Sequence, residues 1–218
     1  ETGASLANSD ATRDEILSAM EALEQALAFE SGSDGANESL DSADRASRAA
    51  VIAEPSNSLA HWLQASVAYN QAASLFRRGD RKAAAQRMNE MRASLGEAVK
   101  NRKSVTMPGL QTEIEADYYL LMRREAGKAV DRYTQLVDLE QPSSSQLRGH
   151  WMLAGVYAGD WGVSGQEVVD VDKARYHITQ VLANWPESPE AQLLKRWLRW
   201  DESAQETEFN YLPIIHSL

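Results

Sequence analysis

The chain has 218 residues, 43% hydrophobic and 25% charged, the composition of an ordinary globular protein with apolar material enough for one large domain or a short helical array. Its 22 Lys and Arg against 32 Asp and Glu leave a net charge of −10, so binding to a phosphate backbone would have to work against the field of the whole molecule, and nucleic acid is not expected as a partner. No apolar run approaches the roughly 20 residues of a membrane-spanning helix, and the absence of cysteine excludes disulfides, thiolate catalysis and thiolate metal sites.

Residues 1–11 carry no periodicity and are expected to be disordered or foreign to the fold. The first residues, Glu1-Thr2-Gly3, lack an initiating Met and resemble the remnant of a secretion vector, which favours an exported, periplasmic or secreted protein over a cytoplasmic one. From Thr12, the residues Ile16, Met20, Leu23 and Leu27 recur at helical spacing, and Thr12 with Glu15 has the spacing of a capping box. Ser31 to Asn37 reads as a loop rich in small residues, and Leu40 through Ile52 as an Ala-rich second helix that Pro55 stops. Asn57 or Ser58 caps a third helix with Leu59, Trp62, Tyr69, Ala72 and Phe76. Gly79-Asp80 turns the chain into a fourth, from Arg81 to about Lys100.

Asn101 to Gly109 is aperiodic and reads as a linker between two halves, at about 12–100 and 110–201. A fifth helix carries Ile114, Tyr118, Leu121 and Met122 and breaks at Gly127. The sixth carries Ala129, Tyr133, Leu136 and Val137 and ends before Pro142, and the seventh runs through Trp151 and Tyr157. An irregular stretch from Gly159 to Val171 precedes an eighth helix from near Asp172, closed by Pro186. Ser188-Pro189-Glu190 then opens a ninth, reaching about Asp201. Only Val168 to Val171 hints at period two, so the chain is expected to be all-α, with about nine helices forming antiparallel hairpins.

Two segments match one another. His61-Trp62-Leu63-Gln64-Ala65-Ser66-Val67 and His150-Trp151-Met152-Leu153-Ala154-Gly155-Val156 each place an aromatic before two small residues and a Val. This pattern resembles the first helix of a tetratricopeptide repeat, with Trp62, Ser66 and Tyr69, and Trp151 and Gly155, in the bulky and small places. The second-helix pattern fits Ala174, Ile178 and Pro186, and with one extra residue Ala129, Tyr133 and Pro142. Ala43 and Pro55 keep the spacing but put Ser47 where an apolar residue belongs. Leu153 to Tyr157 followed by Asp172-Lys173-Ala174-Arg175-Tyr176 also resembles a Sel1-like repeat with an enlarged loop. The resemblance implies hairpins stacked as a solenoid over Asp41–Asp201, acting as a scaffold that holds a protein or peptide on its concave face.

No phosphate loop, Gly-flanked nucleophilic Ser or recognisable carboxylate pair is present, so the chain is not expected to be an enzyme or to carry a cofactor. The four histidines, at 61, 150, 177 and 216, have no spacing that sets two ligands on one helical face, and no metal site is expected. Asp34, Asn37, Glu38 and Asp41 lack the ligand alternation of a calcium loop and read as a solvated turn, on which Asn37-Glu38-Ser39 forms a glycosylation tripeptide. Candidate partner contacts are His61, Trp62, Tyr69, Tyr118, Arg123, Arg148, His150 and Trp161. The tyrosines and arginines, with Arg124 and Tyr119, are grouped because stacked hairpins would gather them on a concave face. Trp185 and Trp197 are assigned to the core. Residues 202–218 hold Phe209, Tyr211, Leu212, Ile214, Ile215 and Leu218, an apolar tail expected to pack on its own array or on a partner. Two other roles fit the same residues: a structural subunit of a complex or homo-oligomer, and a small-molecule module using 159–171 as a lid.

Overall fold

A computed structural model describes residues 9–28, 33–105, 108–139, 144–159 and 168–198, with backbone alone at 27–28, 108 and 196–198. The described residues are all-α: helices α1 (Asp10–Ala28), α2 (Asp34–Ala53), α3 (Ser58–Arg77), α4 (Arg81–Lys100), α5 (Pro108–Asp117), α6 (Ala126–Val137), α7 (Ser144–Tyr157), α8 (Val171–Asn184) and α9 (Pro189–Leu198), with a 3₁₀ turn at Arg102–Ser104 and a π-helical turn at Tyr118–Arg123. The chain forms two compact units divided after Tyr118 rather than within Asn101–Gly109, because α5 packs back on α4 and on the 3₁₀ turn.

Local signals explain most helix limits, and correct several. Helix α1 starts earlier than the Thr12–Glu15 spacing suggests. Ser9 is its cap, its hydroxyl accepting the Thr12 amide at 3.1 Å, and Thr12 itself is fully buried. The expected loop at Ser31–Asn37 is already helical from Asp34, where the Ser33 hydroxyl accepts the Ala36 amide. Asp34, Asn37, Glu38 and Asp41 are therefore not a solvated turn, and the Asn37 tripeptide lies on a helix, with the Asn37 amide oxygen accepting the Ser74 hydroxyl at 2.9 Å. Of the two candidates Asn57 caps α3, and Asp80, in the expected turn, caps α4. The turn between them closes with the Asp80 amide donating to the Leu75 carbonyl, Gly79 taking φ +83°, a left-handed value that favours glycine.

Pro108 and Gly109 belong to the first turn of α5, not to a linker, since a proline there loses no intrahelical bond. The chain breaks not at Gly127 but at Arg124, which adopts φ 54° after the π turn; Gly127 sits in the first turn of α6. Val168 to Val171 forms no strand. Asp170 caps α8 by accepting the Lys173 amide.

In the unit ending at Tyr118, α1 pairs with α2, α3 with α4, α2 with α3, and α1 touches α3. Ile16, Ala19, Ala46, Ala50, Leu59, Leu63, Ala98 and Ile114 form its core, and alanines set the close helix spacing. The α2–α3 seam is polar and fixes register, Asp41 accepting from Gln71 and Asn37 from Ser74. Ser47, out of keeping with the repeat pattern, is fully buried and donates to the Asp44 carbonyl, so its hydroxyl is satisfied within α2. Asp44, Arg48, Arg87 and Glu90 form a network between α2 and α4. Burial pushes the Glu90 carboxyl up, but Arg87, Gln86 and Arg48 outweigh it and hold it below its ordinary value.

In the second unit, α6 packs on α7, α7 on α8 and α8 on α9. The repeat-like positions Ala129, Tyr133, Ala174 and Ile178 are all buried. At Gly149 helices α6 and α7 approach closely: a Cβ there would stand 3.0 Å from Leu136 Cβ and Val137 Cγ1 and 3.1 Å from the Tyr133 carbonyl oxygen.

Candidate functional site

The two matched segments fold alike but present different chemistry. On α3, His61 is buried and donates from Nε2 to the Pro55 carbonyl at 2.8 Å, clasping the loop that leads into its own helix. Trp62 is half-buried, and its indole N–H donates to Asp117 on α5 at 2.8 Å. Asp117 is buried, so this bond both satisfies an ionisable group and pins α5 to α3.

The residues that follow Trp62 on its own face are Ser66, Tyr69, Ala73 and Arg77, at steps of four, three, four and four. Each is only partly buried. The Ser66 hydroxyl donates to the Trp62 carbonyl and Arg77 Nε to the Ala73 carbonyl, so both polar groups are held along the helix. Burial lowers the Arg77 guanidinium from its ordinary value, with Tyr69 acting the other way. The result is a partly exposed strip in which aromatic rings alternate with small side chains and a cation stands at one end, with Trp62 also packed against the core.

On α7, Trp151 is buried and His150 faces inward. Its Nδ1 lies 2.8 Å from Nδ1 of His177 on α8, within an aromatic cage: Tyr157 stacks on His177 at 5.7 Å, Tyr176 meets it edge-on at 5.1 Å, and Trp185 lies 5.9 Å from His150. Two nitrogens at that distance need complementary tautomers, one donating and one accepting. Burial lowers both imidazoles, and His150 and Lys173 add to the effect at His177, pushing it down to about 4. The pair is therefore neutral near pH 7, with its facing nitrogens turned to one another. The contact pairs one polar nitrogen of each ring inside the α7–α8 hairpin.

Tyr118 lies at the start of the π turn and is half-buried in the first unit. Arg123 is exposed in the second unit and pairs with Glu125 at 3.2 Å. Lys128 stands over the Tyr119 ring at 5.4 Å, and Arg148 is half-buried on α7. Trp161 lies outside the described residues, as do the tail at 202–218 and the side chain of Trp197; Trp185 is half-buried. The sequence reading missed the His150–His177 pair because it looked for spacing along one helix, whereas these rings meet across a hairpin 27 residues apart. The readable signal was there: in the repeat pattern His177 immediately precedes the packing position Ile178, just as His150 precedes Trp151.

Among the described residues no group of three His, Cys, Asp or Glu side chains could hold a metal ion, and no helix is long and apolar enough to cross a membrane. Comparison with protein-family models, curated proteins and solved structures finds no match.

Proposed function

We propose that the chain is a non-catalytic, tetratricopeptide-like interaction scaffold that binds a peptide or protein segment along the Trp62–Ser66–Tyr69–Ala73–Arg77 strip of α3. The observation that carries the reading is that Trp62, Ser66, Tyr69, Ala73 and Arg77, all on one face of α3, are each left partly exposed. Partly exposed aromatic side chains give a ligand contact area for little loss of conformational freedom, and small residues between them leave room for its side chains. Tyr69 and Arg77 supply polar ends that can fix the direction of a bound segment.

The repeat resemblance and the hairpin order of α1 to α4 support the same reading, since stacked hairpins offer their inner helices as a binding face. His150 is given a packing role in the second unit, and the proposed surface is therefore restricted to the first.

Affinity capture from lysate of the native source tests this. Wild type is compared with Tyr69→Ala and with Ala73→Arg, which places a second cation in the strip without touching the core. A partner retained by wild type and lost from both folded variants is the expected outcome. A partner retained equally by all three overturns the assignment.

A further inference from the structure

We propose that the first unit also associates weakly with a second copy of itself, the α3–α4 hairpin tip of one molecule docking on the outer face of α1 of another. The contact begins where the α3 strip ends, and its test substitutes none of the strip's residues.

The tip is anomalous in this acidic chain. Arg78, Arg81 and Lys82 lie within five residues and accompany a single acid, Asp80, whose carboxylate is already engaged in capping the Ala83 amide at 3.0 Å. Several surface cations in the described residues are paired locally, as in Arg48–Asp44, Lys100–Glu97 and Lys173–Asp170. Arg78, Arg81 and Lys82 are exposed and make no ion pair among the described residues. Arg81 and Lys82 moreover occupy the first turn of α4, where the helix dipole disfavours cations by roughly 0.3–1 kcal/mol each. Beside them Phe76 is 62% exposed. The tip thus combines unpaired positive charge with an open aromatic ring.

The complementary surface lies on α1. Asp10, Asp14, Leu17, Glu21 and Glu24 recur at steps of four, three, four and three, which lines them along one face, and all five are exposed. Leu17, at the centre, is 46% exposed, and none of the four acids makes an ion pair among the described residues. Arg13 at the edge of this face leaves it net negative. An apolar centre flanked by acids fits an aromatic ring flanked by cations.

Tip and face are different surfaces, so the contact is head-to-tail and propagates instead of stopping at a two-fold dimer. A hairpin tip against one helix face is smaller than a standard interface, and the dissociation constant is expected on the order of 0.1 mM. Charge supplies the specificity, and added salt weakens it.

Sedimentation equilibrium of the full chain over a concentration series, at low and at physiological salt, is the test. Two reversals are compared with wild type, Arg81→Glu with Lys82→Glu, and Asp14→Lys with Glu21→Lys, each on exposed side chains. Salt-sensitive association of wild type, weakened at least about tenfold in either reversal alone, is expected. Mixing the two reversals should restore it, because each then meets its complement. A wild type that stays monomeric throughout, association indifferent to either reversal, or a mixture no stronger than its components overturns the proposal.

Discussion

Three buried contacts make predictions that single substitutions can check. The His150–His177 pair ties stability to pH. His177 falls to about 4 in the fold, so between that value and the ordinary imidazole value the unfolded chain takes up a proton that the folded chain refuses. The contribution is complete above about pH 6.5 and is lost as pH falls toward 4, about 2 kcal/mol of it between pH 7.5 and 5. Urea denaturation of wild type and His177→Gln at those two pH values should show the variant losing markedly less; parallel losses would mean that the pair does not titrate as described. Gly149→Ala forces a methyl group against Leu136, Val137 and the Tyr133 carbonyl. It should lower stability by about 1–3 kcal/mol, read as a shift in the thermal midpoint. Trp62→Phe keeps an aromatic side chain, though a smaller one, and removes the donor to buried Asp117, a loss of about 1–3 kcal/mol that Asp117→Asn, which leaves an acceptor in place, should largely avoid.

At the scale of elements, capping chemistry was legible wherever one side chain decides a boundary. Asn57 and Asp80 accept the amides that their positions imply, and Pro55 and Pro186 lie just beyond the ends of α2 and α8. Boundaries were misread where composition suggested a loop but the backbone needed none. Gly35 and Asn37 fit inside α2, and Pro108 suits a first turn. The π turn and the left-handed Arg124 left no trace in the periodicity, because both depend on how the chain leaves α5 rather than on any one residue's preference. Gly79→Ala tests the turn that displays the proposed cationic tip. No atom lies within 4 Å of the added carbon, so any loss reflects backbone strain alone, about 1 kcal/mol in the denaturation midpoint. A neutral result would mean that the turn relaxes to another conformation.

For the whole molecule, the all-α class followed from the spacing of apolar residues, while the candidate site was only partly visible. Trp62 and Tyr69 were readable as members of a repeat helix. Their shared face with Ala73 and Arg77 emerged only with the burial of Leu63, Val67 and Gln71 on the opposite side of α3. His61 and His150 occupy equivalent places in the matched segments yet reach different partners, Pro55 and His177, which a repeated sequence pattern cannot distinguish. The compact unit ending at Tyr118 has its own core. A fragment of residues 1–118 is therefore expected to unfold cooperatively by circular dichroism, and a gradual, non-cooperative melt would count against an independent unit.

The central claim is that α3 carries the binding face, and amide hydrogen exchange on the full chain, with and without its captured partner, tests it most directly. Protection concentrated in peptides covering residues 62–77 is the predicted result. Protection confined to other helices, with α3 exchanging as in the free protein, would contradict it.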